Sequence, residues 1–551
     1  MVPTRILTAR LTEPALPVIV LRSLAKRMAR IALHSLIWFG LMLVHAQGTE
    51  YFVDSTSGAD SNTGESPQHA WKSLLRASAQ PYQAGDTLSL RCGTSYQGSL
   101  KLSVKGTSIK PFIISAYGDG ELPKIDASGE LAGILLIDCH GIHLSDIEIS
   151  ANRVEGAELV EKTFGVYVQS LDGGFSNILI EDLKIHDVYA TKASKLGPRH
   201  PSTSLGIGIG IWGKEMDSSH VEIRNCDIRR TGFKAIELKH VQHAKVLDNF
   251  MQHIGGPGIQ PSRVKDLLVS GNVVEGSGSS HDPRMHARGS GIWPWGSERV
   301  LIEHNKFMHA RGRGDSCGIH IDFDCRDVVV QYNLSYDNEG GFVEILGNNH
   351  NCAYRYNISV NDGSRQKGVN RAFQEGKVLW TSGFAGRGKL KNGPYNSYIY
   401  NNTVFVKEGS RTCMSISPST DGLLLANNIF YILGETLKVD GDQTSNRNTK
   451  VPDDPALVVS NNLVTHASIF PEGFIFERIN ELVGNPQFKN PGGIELDDYI
   501  PKNSQLIRDA GIEIKKLAGD KIGLKVGLSV DRDILGNPIL GRPDIGAIEI
   551  K

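Results

Sequence analysis

The chain has 551 residues, with 59 Lys plus Arg against 60 Asp plus Glu and a formal net charge of −1. That balance removes the electrostatic case for nucleic-acid binding, which rests on neutralising phosphates. Gly is high at 60 and aromatic content is only 7%, a mixture that suits many short strands and turns rather than a helical domain.

At the N-terminus, Arg27 and Arg30 precede an apolar run from Ile31 to Val44, broken by His34 and Ser35 and closed by Val44-His45-Ala46. Basic residues, an apolar stretch and small residues at its exit are the layout of an export signal, with cleavage expected after Ala46. The run is short for a bilayer span, which takes about 20 apolar residues; a retained signal-anchor is the alternative. Met28 would open a signal of conventional length. A secreted or periplasmic monomer with no membrane span after cleavage is the expectation. Seven cysteines are scattered without CxxC pairs, so neither a disulfide framework nor a zinc site is indicated, and buried free thiols are expected.

The next segment carries Tyr51-Phe52-Val53-Asp54, Gly58-Ala59-Asp60-Ser61-Asn62-Thr63-Gly64 and Ala70-Trp71-Lys72-Ser73-Leu74, followed by Ala84-Gly85-Asp86-Thr87-Leu88. A short unit then recurs: β-favouring residues, an Asn, then more apolar residues. It reads Val246-Leu247-Asp248-Asn249, Val269-Ser270-Gly271-Asn272 and Ile302-Glu303-His304-Asn305, and continues at Asn333, Asn357, Asn402, Asn428 and Asn462. Upstream, Leu144–Ile149, Ile180–Ile185 and Ile223–Ile228 share the pattern, with an apolar residue or Cys226 in the Asn slot. The shortest intervals, about 23 residues, fit one coil of a β-solenoid, and the longer ones a coil plus a loop. An Asn repeated at one bend stacks into a ladder that satisfies backbone groups. Helical periodicity at i, i+3, i+4 and i+7 is nearly absent between 100 and 470. The fold class expected is all-β, a right-handed parallel β-helix. Its expected parts are a signal (1–46), N-terminal strands with a capping helix (47–110), coils (111–470) and an irregular extension packing on them (471–551).

The opening motifs resemble those of pectate-lyase-like β-helix proteins, and Pro543-Asp544-Ile545-Gly546-Ala547-Ile548-Glu549 is similar to the close of many of them. The resemblance implies that Trp71 to Ala79 forms a short amphipathic cap over the open end of the core. It speaks to fold, whereas function must be argued from the site.

Coil side chains alternate between the core and an outward row, so outward residues from successive coils line up about 4.8 Å apart. The strongest candidate is Gly318-Ile319-His320-Ile321-Asp322-Phe323-Asp324. Alternation puts Ile319, Ile321 and Phe323 on one side and His320, Asp322 and Asp324 on the other. His320 precedes Asn333 by the same interval that separates Glu344 from Asn357, so Glu344 is expected beside His320 and within reach of Asp322. Crowded carboxyls shift one another's pKa values, as a general acid with a partner base or nucleophile requires; Asp322, Asp324 and Glu344 are therefore the candidate catalytic residues. A solvated acidic edge or a Ca²⁺ site is the bland alternative. Upstream coils add Glu237, Gln260, Arg263, Trp293 and Trp295 as substrate-binding candidates, with His320 and Arg313. The tryptophans suit sugar stacking or packing beneath the loop from Ser277 to Gly289. His281, Asp282, His286, Arg288, Arg311, Arg313 and Asp315 are placed to rim a cleft.

Ser417-Pro418-Ser419-Thr420-Asp421-Gly422 resembles a polygalacturonase signature, but the Gly-His-Gly that accompanies it there is missing, and it is read as a turn. Lys239 with Arg263 faintly resembles the Lys and Arg pair of the alginate lyase and chondroitinase B family, which implies proton abstraction beside a Ca²⁺-neutralised uronate. Three functions follow: a glycoside hydrolase using a carboxylate pair and no cofactor on a polysaccharide or oligosaccharide, a lyase or uronate epimerase using Lys239 and Arg263 with Ca²⁺, and a non-catalytic adhesin or glycan-binding protein.

Overall fold

A computed structural model describes residues 48–152, 162–190, 205–439 and 448–550, apart from 468, 473 and 475. The expected export signal lies outside the described residues. From Gly48 onward the chain is a single compact unit built on three long parallel faces. The first face runs from Glu50–Val53 to Arg478–Ile479, and the second from Ser95–Gln97 to Leu482–Val483. The third comprises strands from Leu100–Leu102 to Ile259–Ser262 and from Gly341–Ile345 to Glu435–Lys438, linked through isolated bridges at Ile292, Ile319 and Ile321. The chain is a right-handed parallel β-helix.

Each face contributes one inward file of β-branched and aliphatic side chains. On the first, Val246, Val269, Ile302, Val330, Tyr354, Ile399, Leu425 and Val459 stand in register. On the third, Ile236, Ile259, Ile292 and Ile319 do the same, all fully buried. Stacking like on like excludes water continuously along the axis, which a single coil cannot do alone.

The bend between first and second faces explains the recurrent Asn. The residue before it adopts a left-handed conformation in every coil: Asp248, Gly271, His304, Tyr332, Tyr356, Asn401, Asn427 and Asn461 all have φ between 51° and 72°. That costs most side chains about 1–2 kcal/mol. The following Asn offsets it. Nδ2 of Asn249, Asn272, Asn305, Asn333, Asn357, Asn402 and Asn428 each donates to Oδ1 of the next coil's Asn at 2.9–3.0 Å. The same Oδ1 accepts the preceding coil's Asn backbone N–H. Upstream, Ile147, Leu183 and Cys226 fill the slot with buried apolar bulk.

The N-terminal opening is closed by Trp71 and the helix Leu74–Ser78, whose Leu74 and Ala77 are buried and whose N-cap Ser73 accepts from Arg76 N–H. The strands begin before residue 111 and persist past 470. Residues 484–550 then fold back over the outer sides of the first and second faces. All seven cysteines are unpaired, six of them buried. Among the described residues no helix is long and apolar enough to cross a membrane.

Candidate active site

Outward residues of the third face form two adjacent columns. Register places Glu237 beside Gln260 and Glu344 beside Trp380; the bridges Ile259–Ile292, Ile292–Ile319 and Ile321–Ile345 set Trp293, His320 and Glu344 between them. The second column passes from Trp212 through Lys239, Ser262 and Trp295 to Asp322. Residues far apart in the chain thus become rung neighbours about 4.8 Å apart.

Around His320 the columns converge into a closed acidic centre. His320 Nε2 lies 3.4 Å from Glu344 Oε1 and 3.9 Å from Asp322 Oδ1. The imidazole stacks on the Trp293 indole at 4.8 Å between centroids. Trp293 Nε1 donates to Asp322 Oδ2 at 2.7 Å, and the Phe323 N–H donates to Asp322 Oδ1 at 2.9 Å. The Cys317 thiol donates to Glu344 Oε2 at 2.8 Å. Lys377 holds its ammonium 3.9 Å above the Trp380 ring.

Three insertions build the wall that closes this centre. Three of the four connections from second face to third in these coils, residues 278–291, 309–318 and 361–376, are long and fall at the same corner, whereas the one at 337–340 is short. They bring in Arg288, Asp315, and Arg365 with Gln374. Arg288 pairs with the Asp315 carboxylate and lies between the Trp293 and Phe373 rings, 5.7 and 5.5 Å from their centroids. Arg365 Nη1 donates to the Asp315 carbonyl at 2.7 Å, and Gln374 Oε1 accepts the Asp315 N–H at 2.9 Å. Gly340 passes so close that a Cβ there would sit 1.8 Å from the Asp315 carbonyl oxygen.

Burial and charge divide the carboxyls into two kinds. Asp322 is pushed up to about 7, first by burial and further by Asp315, against the opposing donors Phe323 N–H and Trp293 Nε1. Glu344 is pushed up to about 8, again mainly by burial, with Asp315 adding. Asp315 goes the other way: burial works to raise it, but the positive charges around it, Arg288 foremost, together outweigh burial and keep it ionised. Burial lowers His320 to about 4, so it is a neutral imidazole. Both its ring nitrogens, Glu344 Oε1 and Trp380 Nε1 are buried without a hydrogen-bond partner. Side-chain exposure is 11% at Asp322 and 27% at Arg288, against 4% at Asp315 and 1% at Glu344, so the centre opens to solvent beside Asp322.

Asp315, His320 and Glu344 offer ligand atoms within 4.8 Å of one another, a set that fits a divalent cation. The Arg288 guanidinium already supplies the positive charge at Asp315.

The expected alternation through Asp324 stops at Asp322. Asp324 is left-handed at φ 64°, and the chain turns there, handing the next core position to Cys325. Phe323 therefore packs outside against Trp295 and Phe384 rather than in the core. Asp324 is exposed, accepts from Asn348 Nδ2 at 2.6 Å, and is not one of the clustered acids. With Trp295, Arg263, His240, Lys265 and Glu215 it lines an open groove of about 520 Å³. Arg263 lies over the Trp295 ring at 5.0 Å, whereas Lys239 lies over Trp212 at 3.8 Å. Register pairs Lys239 with Ser262, so the two cations expected to act together address different rings. Glu237 is buried, accepting from Trp212 Nε1 at 3.0 Å and pairing with Lys234 and Lys239. Gln260 sits on the rung between Glu237 and Trp293. Arg313 is half-buried in the 309–318 connection, where its carbonyl accepts from Phe373 N–H. Of the expected rim, Arg288 and Asp315 enter the centre, while Arg311 turns away to Asp337. Arg365 and Gln374 come from the 361–376 connection and had no counterpart in the strand pattern, whereas Lys377 and Trp380 lie on the strand in register with Gly341 and Glu344, and Cys317 bridges Gly341; the signal for the first two was the recurrence of long connections at one corner of the coils.

A family profile described as "Right handed beta helix region" matches residues 124–307 and 207–370. The chain is 24% identical to a lacto-N-biosidase of Bifidobacterium longum subsp. longum over 92% of its own length, and spans 36% of that relative. Among solved structures it is similar to a GH136 lacto-N-biosidase from Eubacterium ramulus, at 20% identity and TM-score 0.48 over 76% of this chain and 67% of that one. It is also similar to XylC in complex with xylose, at 12% identity and TM-score 0.47 over 91% and 98%. With its three parallel faces and the matched region, the chain has a right-handed parallel β-helix fold, and its acidic centre lies on the third face of that helix.

Proposed function

We propose that the chain is a glycoside hydrolase acting on a polysaccharide or oligosaccharide, with Asp322 as general acid and Asp315 as its ionised partner. One observation carries this reading: two carboxyls meet at one imidazole in surroundings that drive their protonation in opposite directions. Pairs of this kind divide acid and base roles in glycosidases. Asp322, at the solvent opening, gives its proton to the glycosidic oxygen as the bond to the anomeric carbon breaks. The Asp315 carboxylate opposes the positive charge developing at that carbon. Asp322, now a carboxylate, takes a proton from the incoming water. Atoms and charge balance with no cofactor. Glu344 holds its proton and, with His320, lies buried behind Asp322 as part of the wall of the centre. The relative named lacto-N-biosidase supports the assignment to a sugar hydrolase.

The test is a glycan panel assayed in parallel for new reducing ends and for the ultraviolet absorbance of an unsaturated product. Reducing ends alone are expected. Asp322→Asn and Asp315→Asn should each lower kcat by about 10³-fold or more, the scale of a lost acid or charge-stabilising group, while Asp324→Asn stays within about twofold of wild type. An unsaturated product, or full turnover in Asp322→Asn, sinks the proposal. The basic and apolar N-terminus supports export; Edman sequencing of the secreted protein should begin at Gln47. Light scattering should report a monomer.

A further inference from the structure

We propose that the third face binds an acidic glycan, whose carboxylate or sulfate is held by Lys162 and Lys239 beside Trp212 while the bond to be cleaved lies at Asp322. This rests on the hydrolase reading above and adds the substrate class.

The outward column Trp212–Lys239–Ser262–Trp295–Asp322 is continuous, and its far end lies four rungs, about 19 Å, from the acid. That is room for a chain of several sugar rings laid along the helix axis. Trp212 is half-buried, braced edge-on by Phe164 and Tyr167 at 5.4 and 5.1 Å. Two ammonium groups lie over its ring, Lys239 at 3.8 Å and Lys162 at 4.7 Å. Among the described residues Glu237 is the carboxylate at this end, and Lys234 behind it already neutralises it. Lys239 shares it at 3.1 Å, and Lys162 pairs with no carboxylate among the described residues.

The cluster therefore carries two positive charges more than Glu237 and the buried Lys234 require. The neighbouring ammonium groups repel one another; Lys234, which lies over Phe233, is held down to about 8, chiefly by burial, with Lys239 and Lys162 adding. An unmatched positive pair beside a half-buried aromatic is complementary to an anionic ligand. An anion on a sugar stacked at Trp212 would meet both half-buried ammonium groups, and the ring would take the apolar sugar face.

The experiment uses full-length Asp322→Asn protein, blocked in cleavage, on a glycan array carrying sulfated, uronate-bearing, sialylated and neutral oligosaccharides. Retention on a subset of the acidic glycans is expected, and which subset responds separates sulfate from carboxylate. Adding Lys162→Gln or Lys239→Gln should weaken that signal about threefold each and about tenfold together. Lys239→Arg should retain it, with melting temperatures unchanged throughout. Equal retention of neutral glycans, no retention of acidic ones, or indifference to the lysine changes would overturn the proposal. Lysine-dependent retention with no reducing ends released by wild-type protein would sink the hydrolase reading and leave the subsite. Release of reducing ends from neutral glycans alone would do the reverse.

Discussion

An acid that protonates a leaving oxygen at neutral pH needs a pKa near 7, and burial supplies it at Asp322. The same burial works against the fold. Unfolded, Asp322 and Glu344 ionise near their ordinary values of 3.8 and 4.5; folded, they hold protons to about 7 and about 8. Between those limits the folded state binds more protons than the unfolded one, so their contribution to stability falls as pH rises. His320 has the opposite slope, because burial lowers it from 6.5 to about 4. Glu344→Gln removes one titrating acid. Its gain in stability over wild type should be absent near pH 4, grow up to about pH 8, then level off, reaching at most about 5 kcal/mol. Melting curves across that range check it, and a pH-independent difference would refute it. The alkaline limb of kcat should fall near pH 7 as Asp322 loses its proton, and Glu344→Gln should leave that limb in place.

The coil is the unit in which the sequence is most legible, because the demands of the bend are written at one position. Asn333 shows how much rests there. Its Oδ1 accepts both the Asn305 N–H and Asn305 Nδ2, and its own Nδ2 donates to Ile302, to Gln331 and to Asn357 Oδ1. Asn333→Ala strands buried donors on one coil and buried carbonyls on another, and should cost about 2–4 kcal/mol, read as a lower urea midpoint with unchanged m. A loss under about 0.5 kcal/mol would mean that the ladder decorates the bend rather than holding it. Counting back from this ladder correctly set Glu344 beside His320, since register is shared by every residue of a rung. It failed at Asp324, where the strand ends, and was silent on Arg365 and Lys377. Arg365 lies in a connection whose path no periodicity encodes, and Lys377 opens the strand one coil beyond Glu344; Asp315, expected at the rim of a cleft, is instead enclosed by Arg288, Arg365 and Gln374.

At the scale of the molecule, the C-terminal extension decides which outer surface is free. Phe488, Tyr499, Ile507, Ile545 and Ile548 bury against outward residues of the second face, and Leu517 and Leu524 against Tyr356, Tyr398 and Tyr400 of the first. A second file of asparagines fastens it: Asn401, Asn427 and Asn461 donate to the carbonyls of Asp544, Ile512 and Ala510. The extension thus covers two faces of the coils whose third face carries the acids. One buried anchor is Asp520, which accepts from Asn351 Nδ2 at 3.0 Å and from the Tyr398 hydroxyl on the coils, and from Ile522 N–H at 2.9 Å and Gly523 N–H at 3.1 Å within the extension. Asp520→Ala leaves the Tyr398 phenol without its acceptor and the Asn351 amide with the Gly523 carbonyl alone, at about 1–3 kcal/mol for a group left unsatisfied. None of these bonds touches the third face. The melting temperature should therefore drop while kcat and its alkaline limb stay where they are, and amide exchange should quicken at residues 351–356, 395–400 and 512–530 but not at 318–322. If exchange quickened equally at 318–322, the extension would be part of the scaffold of the acidic centre and not only a cover for its neighbours.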